Sequence, residues 1–185
     1  MIDANELRKG TTFILDGELY QVLEYQHYKP GRGNAIIRTK IRNLRTGSTI
    51  SRNFLSGERF EEAPVERRTA QYLYEDGDAF YFMDTQTYDQ IRMNADMVED
   101  RDGFLKEGME VTLTILESEV LDIDLPASIE LEVVESEMAV AGDTATGANK
   151  TITCETGLKV NVPLFVNIGD TIRVDTRNGE YLTRV

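Results

Sequence analysis

The chain of 185 residues has no tryptophan, one cysteine, one histidine and only four prolines. A single thiol, Cys154, excludes an internal disulfide framework and any metal site built from several thiolates. In Thr151-Ile152-Thr153-Cys154 it shares a strand face with Ile152, which makes it a small buried filler rather than a nucleophile. A single imidazole, His27, removes the histidine clusters that zinc sites and most acid-base catalysis use, and its place near a strand end suits a hydrogen-bonded structural residue. No run of ~18 apolar residues is present, and Met1 opens directly on a polar, strand-like segment; the expectation is a cytoplasmic protein with no membrane partner.

Positive charge is scarce overall, with 20 Lys and Arg against 33 Asp and Glu and a net charge of −13. Such a balance argues against a nucleic-acid partner for the chain as a whole, because phosphates repel an acidic surface. Its distribution is uneven. Residues 1–63 carry a net +2, residues 64–126 a net −11 and residues 127–185 a net −4. Between Glu24 and Glu58 lie seven basic residues (Lys29, Arg32, Arg38, Lys40, Arg42, Arg45 and Arg52) and no acid. That pattern points to a molecule that touches RNA with selected edges only.

What the sequence does have is short strands. Thr12–Leu15, Leu19–Tyr25, Ala35–Leu44 and Ser48–Leu55 read as strands separated by Asp16-Gly17, a loop at 29–34 and Thr46-Gly47. In the third of these, Arg38, Lys40 and Arg42 alternate with Ile37, Thr39 and Ile41, so the period of two puts three cations on one face. That face is either a solvated surface or one turned toward phosphates. The loop reads Lys29-Pro30-Gly31-Arg32-Gly33-Asn34. Pro30 and Gly31 suit the central positions of a type II turn, which would aim Arg32 outward, with Gly33 leaving room for a bulky partner. Turn chemistry of this kind is also that of an ordinary hairpin tip.

Pro64 and Pro126 mark two composition boundaries, dividing the chain into residues 1–63, 64–126 and 127–185. The second segment opens with an aromatic hairpin, Gln71–Tyr74 and Phe80–Met83, in which Tyr72, Tyr74, Phe80 and Phe82 serve as core and cross-strand pairs or as a stacking platform. Asn94–Gly103 suits a short helical turn, and Met109–Leu116 and Val120–Ile123 return to strand. Its sixteen carboxylates show no calcium-loop spacing and read as a solvated face or a surface for a basic protein. In the third segment Ile129–Val134, Thr151–Glu155, Leu158–Val162, Thr171–Asp175 and Glu180–Thr183 are strand-like, with turns at Thr156-Gly157 and Asn178-Gly179. Phe104, Gly108 and Val111 recur at the offsets of Phe165, Gly169 and Ile172, so the two segments read as related small barrels of the OB kind. Ala141–Lys150 reads as an open polar loop without the pattern of a phosphate cradle.

Several separated motifs, in this order, resemble the bacterial elongation factor P family along the whole length. They are Tyr25-Gln26-His27-Tyr28-Lys29-Pro30-Gly31-Arg32-Gly33, Phe82-Met83-Asp84, Gly142-Asp143-Thr144, Val162–Val166 and Val174–Tyr181. The resemblance implies an all-β fold, an N-terminal SH3-like (KOW-type) barrel followed by two OB-fold barrels in an L shape that imitates tRNA. It implies a monomeric, non-enzymatic accessory factor that needs no cofactor. Its implied partners are the 70S ribosome, its rRNA, the P-site peptidyl-tRNA and a large-subunit stalk protein near the E site, and its implied role is relief of stalling at consecutive prolines. Arg32 matches the position set near the acceptor end of that tRNA, a modified lysine in many members and in others an arginine that receives a rhamnose from a glycosyltransferase. Gly142, Asp143 and Thr144 match the codon-side loop, and Tyr181 and Arg184 match residues set against the tRNA. By residues alone, an elongation-factor-P-like paralogue and a non-ribosomal OB-fold RNA-binding module stay open beside this reading; an enzyme is disfavoured, since only scattered carboxylates are left to carry catalysis.

Overall fold

The computed structural model describes residues 1–138 and 148–185, which form three antiparallel sheets. The chain divides into two compact units, one of residues 1–66 with 115–121, the other of residues 67–114 with 122–185.

The first unit is built on β1 (Ile2–Asp3), β2 (Thr12–Leu15), β3 (Glu18–Tyr28), β4 (Ile36–Asn43), β5 (Thr49–Leu55) and β6 (Arg59–Glu62), in the spatial order β1-β6-β2-β3-β4-β5. Asp16 and Gly17 both take positive φ, 52° and 81°, the two-residue turn whose twist matches paired strands. Inward residues alternate along β4, so that Ile37, Thr39, Ile41 and Asn43 are buried while Arg38 and Lys40 are exposed. The core gathers three phenylalanines: Phe54 meets Phe60 at 4.7 Å between centroids and Phe13 edge-on at 6.0 Å. Burying each such ring contributes about 1.5–3 kcal/mol. A second cluster joins Leu19, Leu44 and Ala63 to Leu121 and Leu116.

The other two sheets lie mainly in the second unit. One has β7 (Val65–Glu75), β8 (Ala79–Asp84), β9 (Gln90–Asn94), β10 (Glu110–Leu116) and β11 (Glu119–Asp124), ordered β11-β10-β7-β8-β9. The helix α1 (Ala95–Val98) and a 3₁₀ turn, Glu99–Phe104, precede β10, where the polar stretch suggests a helical turn. The other sheet has β12 (Ser128–Ser136), β13 (Asn149–Cys154), β14 (Lys159–Pro163), β15 (Thr171–Asp175) and β16 (Tyr181–Arg184), ordered β14-β13-β12-β15-β16. Numbered within its own sheet, each runs 3-2-1-4-5.

The repeat seen in sequence is therefore structural, and its detail is backbone chemistry. Gly108 donates to the Tyr72 carbonyl (2.9 Å) while Tyr72 donates to Met109; Gly169 donates to the Val133 carbonyl (2.8 Å) while Val133 donates to Asp170. The register slips just beyond Tyr72 in one first strand and just beyond Val133 in the other. Both bulges curl a first strand so that it serves two neighbours. Val111 and Ile172 are buried alike, but the phenylalanines part company. Phe104 lies in the core of the last sheet with Leu131 and Ile172, whereas Phe165 is exposed.

Tyr72, Phe80 and Phe82 are core residues, and Tyr74 is an outward cross-strand partner of Tyr81, stacked at 4.7 Å. Cys154 is buried beside Ile152, and burial pushes its thiol up to about 11. His27 departs from expectation: it is exposed at the end of β3, and among the described residues its ring has no hydrogen-bond partner. No helix among the described residues is long and apolar enough to cross a membrane.

Candidate nucleic-acid interface

Pairing between β3 and β4 continues out to Tyr28 and Ile36; all five residues from Glu24 to Tyr28 are exposed, while Ile37, opposite His27, still belongs to the core. Residues 29–35 close this ribbon. The turn differs from the type II geometry expected at Pro30-Gly31: Gly31 does not take positive φ, and Gly33 does, at 110°. That value lies beyond the left-handed region open to other residues, so position 33 requires glycine for its backbone. Space is not the constraint, since a Cβ at either glycine would meet nothing within 4 Å. Lys29, Gly31, Arg32, Gly33 and Asn34 are exposed and Pro30 is half-buried. Among the described residues no carboxylate lies within ion-pair distance of Arg32 or Lys29 and no side-chain hydrogen bond holds them.

The cationic arm is less uniform than its sequence. Acids from outside the run come alongside: Glu24 reaches Lys40 at 3.7 Å, Asp16 reaches Arg52 at 3.6 Å and Glu119 reaches Arg45 at 3.5 Å. Pairs this exposed contribute about 0–1 kcal/mol each and leave the cations accessible. Arg38 is held differently, its guanidinium carbon 4.6 Å from the ring centroid of Tyr28. Arg8 sits likewise over Tyr25 at 5.0 Å. Arg42 is half-buried at the inner end of the same row.

Far from the tip in sequence, Tyr181 is half-buried against the last core and Arg184 lies over Phe165, 5.3 Å from centroid, with Asp170 at 3.5 Å. Asp170 also accepts from the Asn167 backbone, so one carboxylate ties the loop to the final strand. Tyr28 and Phe165 fall inside the motifs Tyr25–Gly33 and Val162–Val166, yet no motif indicates their contacts with Arg38 and Arg184, and Asp170 lies outside every motif. Tyr28 lies across the turn from Arg38, but Phe165 is remote from Arg184 in the chain, so no common spacing marks the two pairs. Gly142, Asp143 and Thr144 lie outside the described residues.

An open cleft of about 660 Å³ in the second unit is lined by Tyr72, Glu75, Lys106, Glu107 and Glu155 among others. Burial and the charges of Glu75 and Glu107 raise the Tyr72 hydroxyl, which therefore stays protonated at neutral pH. Lys106 is paired with Glu155 at 2.8 Å, and that pairing lowers the glutamate. Among the described residues no three His, Cys, Asp or Glu side chains gather as metal ligands would.

Three successive sheets, the last two with one strand order, and a projecting arginine hairpin on the first define an all-β protein of barrel modules. Family models match nearly all of it in three blocks: an elongation factor P KOW-like domain over residues 3–60, its OB domain over 65–123 and its C-terminal domain over 129–184. Elongation factor P of Thermoanaerobacter sp. (strain X514) is 51% identical over 185 residues, 100% of both chains. That of Caldanaerobacter subterraneus subsp. tengcongensis is 49% identical, again over 100% of both. A solved eukaryotic translation initiation factor 5A from Methanococcus jannaschii aligns with a TM-score of 0.47 and 24% identity, covering 65% of this chain and 86% of that one. The chain belongs to the elongation factor P family. It is a translation factor, a class distinct from the classical enzymes.

Proposed function

We propose that this protein binds the 70S ribosome beside the P-site peptidyl-tRNA, in the cytoplasm and as a monomer, and relieves stalling at consecutive prolines by positioning that tRNA. The observation that carries the reading is Arg32: a cation exposed in the loop that closes the β3–β4 ribbon, without an ion pair or side-chain hydrogen bond among the described residues. A guanidinium stays protonated at physiological pH, so it offers no general base and no Schiff-base amine. It offers a planar fork of donors suited to phosphate and ribose oxygens. Proline reacts slowly because its secondary amine is constrained, and such a complex gains from orientation rather than from an added acid or base. The ribosome performs the chemistry. Arg38, Lys40 and Arg42 face RNA behind the tip, Tyr181 and Arg184 the tRNA, and Gly142, Asp143 and Thr144 the codon side; a large-subunit stalk protein near the E site is a further partner. Arg32 is the site at which a glycosyltransferase would add rhamnose.

Replacing Arg32 with alanine should leave the unfolding midpoint unchanged, because the side chain is exposed and has no ion pair or side-chain hydrogen bond among the described residues, while abolishing rescue of a polyproline reporter. Undiminished rescue would refute the assignment of the tip. Binding to ribosomes should weaken steeply as salt rises, since each phosphate contact releases counterions. Intact mass of the native protein reads the modification directly, as a sugar-sized addition localised to Arg32.

A further inference from the structure

The outer face of β3, β4 and β5 carries a second arrangement, distinct from the tip. Backbone register places Gln26, Arg38 and Asn53 side by side in one row across the three strands, and Glu24, Lys40 and Ser51 in the next. All six are exposed, and they line much of a shallow groove of about 320 Å³. The two rows differ in one respect. Lys40 has a carboxylate beside it in Glu24, whereas Arg38 is flanked by two carboxamides and rests on Tyr28. Among the described residues no carboxylate pairs with Arg38, and the Gln26 and Asn53 amides make no side-chain hydrogen bond.

We propose that this row reads the minor groove of double-stranded RNA, Arg38 taking a backbone phosphate while Gln26 and Asn53 take ribose 2′-hydroxyls on either side of it. The inference rests on the reading that the protein's partner is RNA, and it names the chemical feature recognised. A carboxamide is donor and acceptor at once, as a 2′-hydroxyl is, so the two groups match in either sense. The minor groove of A-form RNA is wide and shallow and presents those hydroxyls in rows, a shape that an open sheet face can meet. Stacking on Tyr28 fixes the guanidinium plane in advance, so less freedom is lost when its donors engage. An acidic protein surface would be met as well by Lys40 and Arg42 and would gain nothing from the amides.

The test compares a short RNA duplex with a DNA duplex of the same sequence, each titrated with the full chain at low salt and followed by fluorescence anisotropy. The wild type should prefer RNA by roughly five- to ten-fold, the worth of two net hydrogen bonds. Gln26→Leu with Asn53→Leu should bind the two duplexes equally, with an unchanged unfolding midpoint because both side chains are exposed. Arg38→Gln should instead weaken both duplexes together and lower the salt slope by about one. Equal affinity of the wild type for RNA and DNA, or binding to neither, overturns the proposal. Failure of the Arg32→Ala rescue experiment would leave the RNA preference standing, so the two readings fail separately.

Discussion

Arg177 grips Asp175 through two nitrogens, Nε at 3.0 Å from one carboxylate oxygen and Nη2 at 2.5 Å from the other, while the Arg177 backbone N–H donates to the first oxygen as well. The same carboxylate sits at the start of a turn found three times among the described residues. Asn43, Asp84 and Asp175 are each buried at a strand end, and each accepts through a side-chain oxygen from the backbone two residues on. In each case the backbone N–H four residues on donates back, from Gly47, Tyr88 and Gly179, and all three of those residues take positive φ.

Acid should expose the charge held in the last of these turns. The guanidinium of Arg177 first, and its backbone N–H second, hold the Asp175 carboxyl down at about 2 against an ordinary 3.8. Since the depressed value belongs to the folded state, the stability it brings is complete above the ordinary value and disappears as pH falls through the folded one. Asp175→Asn keeps the turn, as Asn43 does, and loses the ion pair. Its Tm should lie below wild type near neutrality, and the two curves should converge between about pH 4 and pH 2. Parallel curves across that range would remove Asp175 from the acid response.

Tyr88 adopts φ of 62° where the two sister turns use glycine, and it is 72% exposed. A left-handed backbone costs a residue with a Cβ about 1–2 kcal/mol, partly offset by the greater chain entropy glycine gives up on folding. Tyr88→Gly should therefore raise stability by about 0.5–1 kcal/mol, seen as a higher urea midpoint at unchanged slope. A lower midpoint would mean that the ring makes contacts worth more than the strain.

Phe104 ends the 3₁₀ turn before β10, yet its ring closes the core of the following sheet and lies 3.6 Å from where a Cβ on Gly179 would be. Truncation to alanine should cost about 3–4 kcal/mol. Native-state hydrogen exchange locates the loss: protection should fall in β12 and β15. A loss confined to residues 95–104 would show that the ring belongs to its own segment alone.

The strands and turns follow from features that act locally and are thus readable one strand at a time. Period-two alternation along β4, the turn at Asp16-Gly17 and the glycines at 108 and 169 all express a backbone demand at the residue that meets it. What escaped reading depends on residues distant in the chain. Glu24, Asp16 and Glu119 come alongside three of the seven cations in an arm that looks purely basic, because strand pairing and hairpin ends bring them to it. Phe104 and Phe165 match in spacing but not in burial, because the first has a neighbouring sheet to enter. At the tip, Gly31 and Gly33 are interchangeable in composition, and only the path of the ribbon assigns the positive φ to Gly33. The candidate cations were legible as charges; the Tyr28 and Phe165 rings beneath Arg38 and Arg184 were not, since stacking leaves no fixed spacing in sequence.

Leu116 and Leu121 reach the first unit from a hairpin whose strands begin and end in the second. A fragment made by cutting the chain after Glu66 would consequently present Leu19, Leu44 and Ala63 to water as a sticky apolar scar. Anyone wishing to graft the arginine finger onto another carrier should transplant those two leucines with it, or replace the bared trio by polar residues.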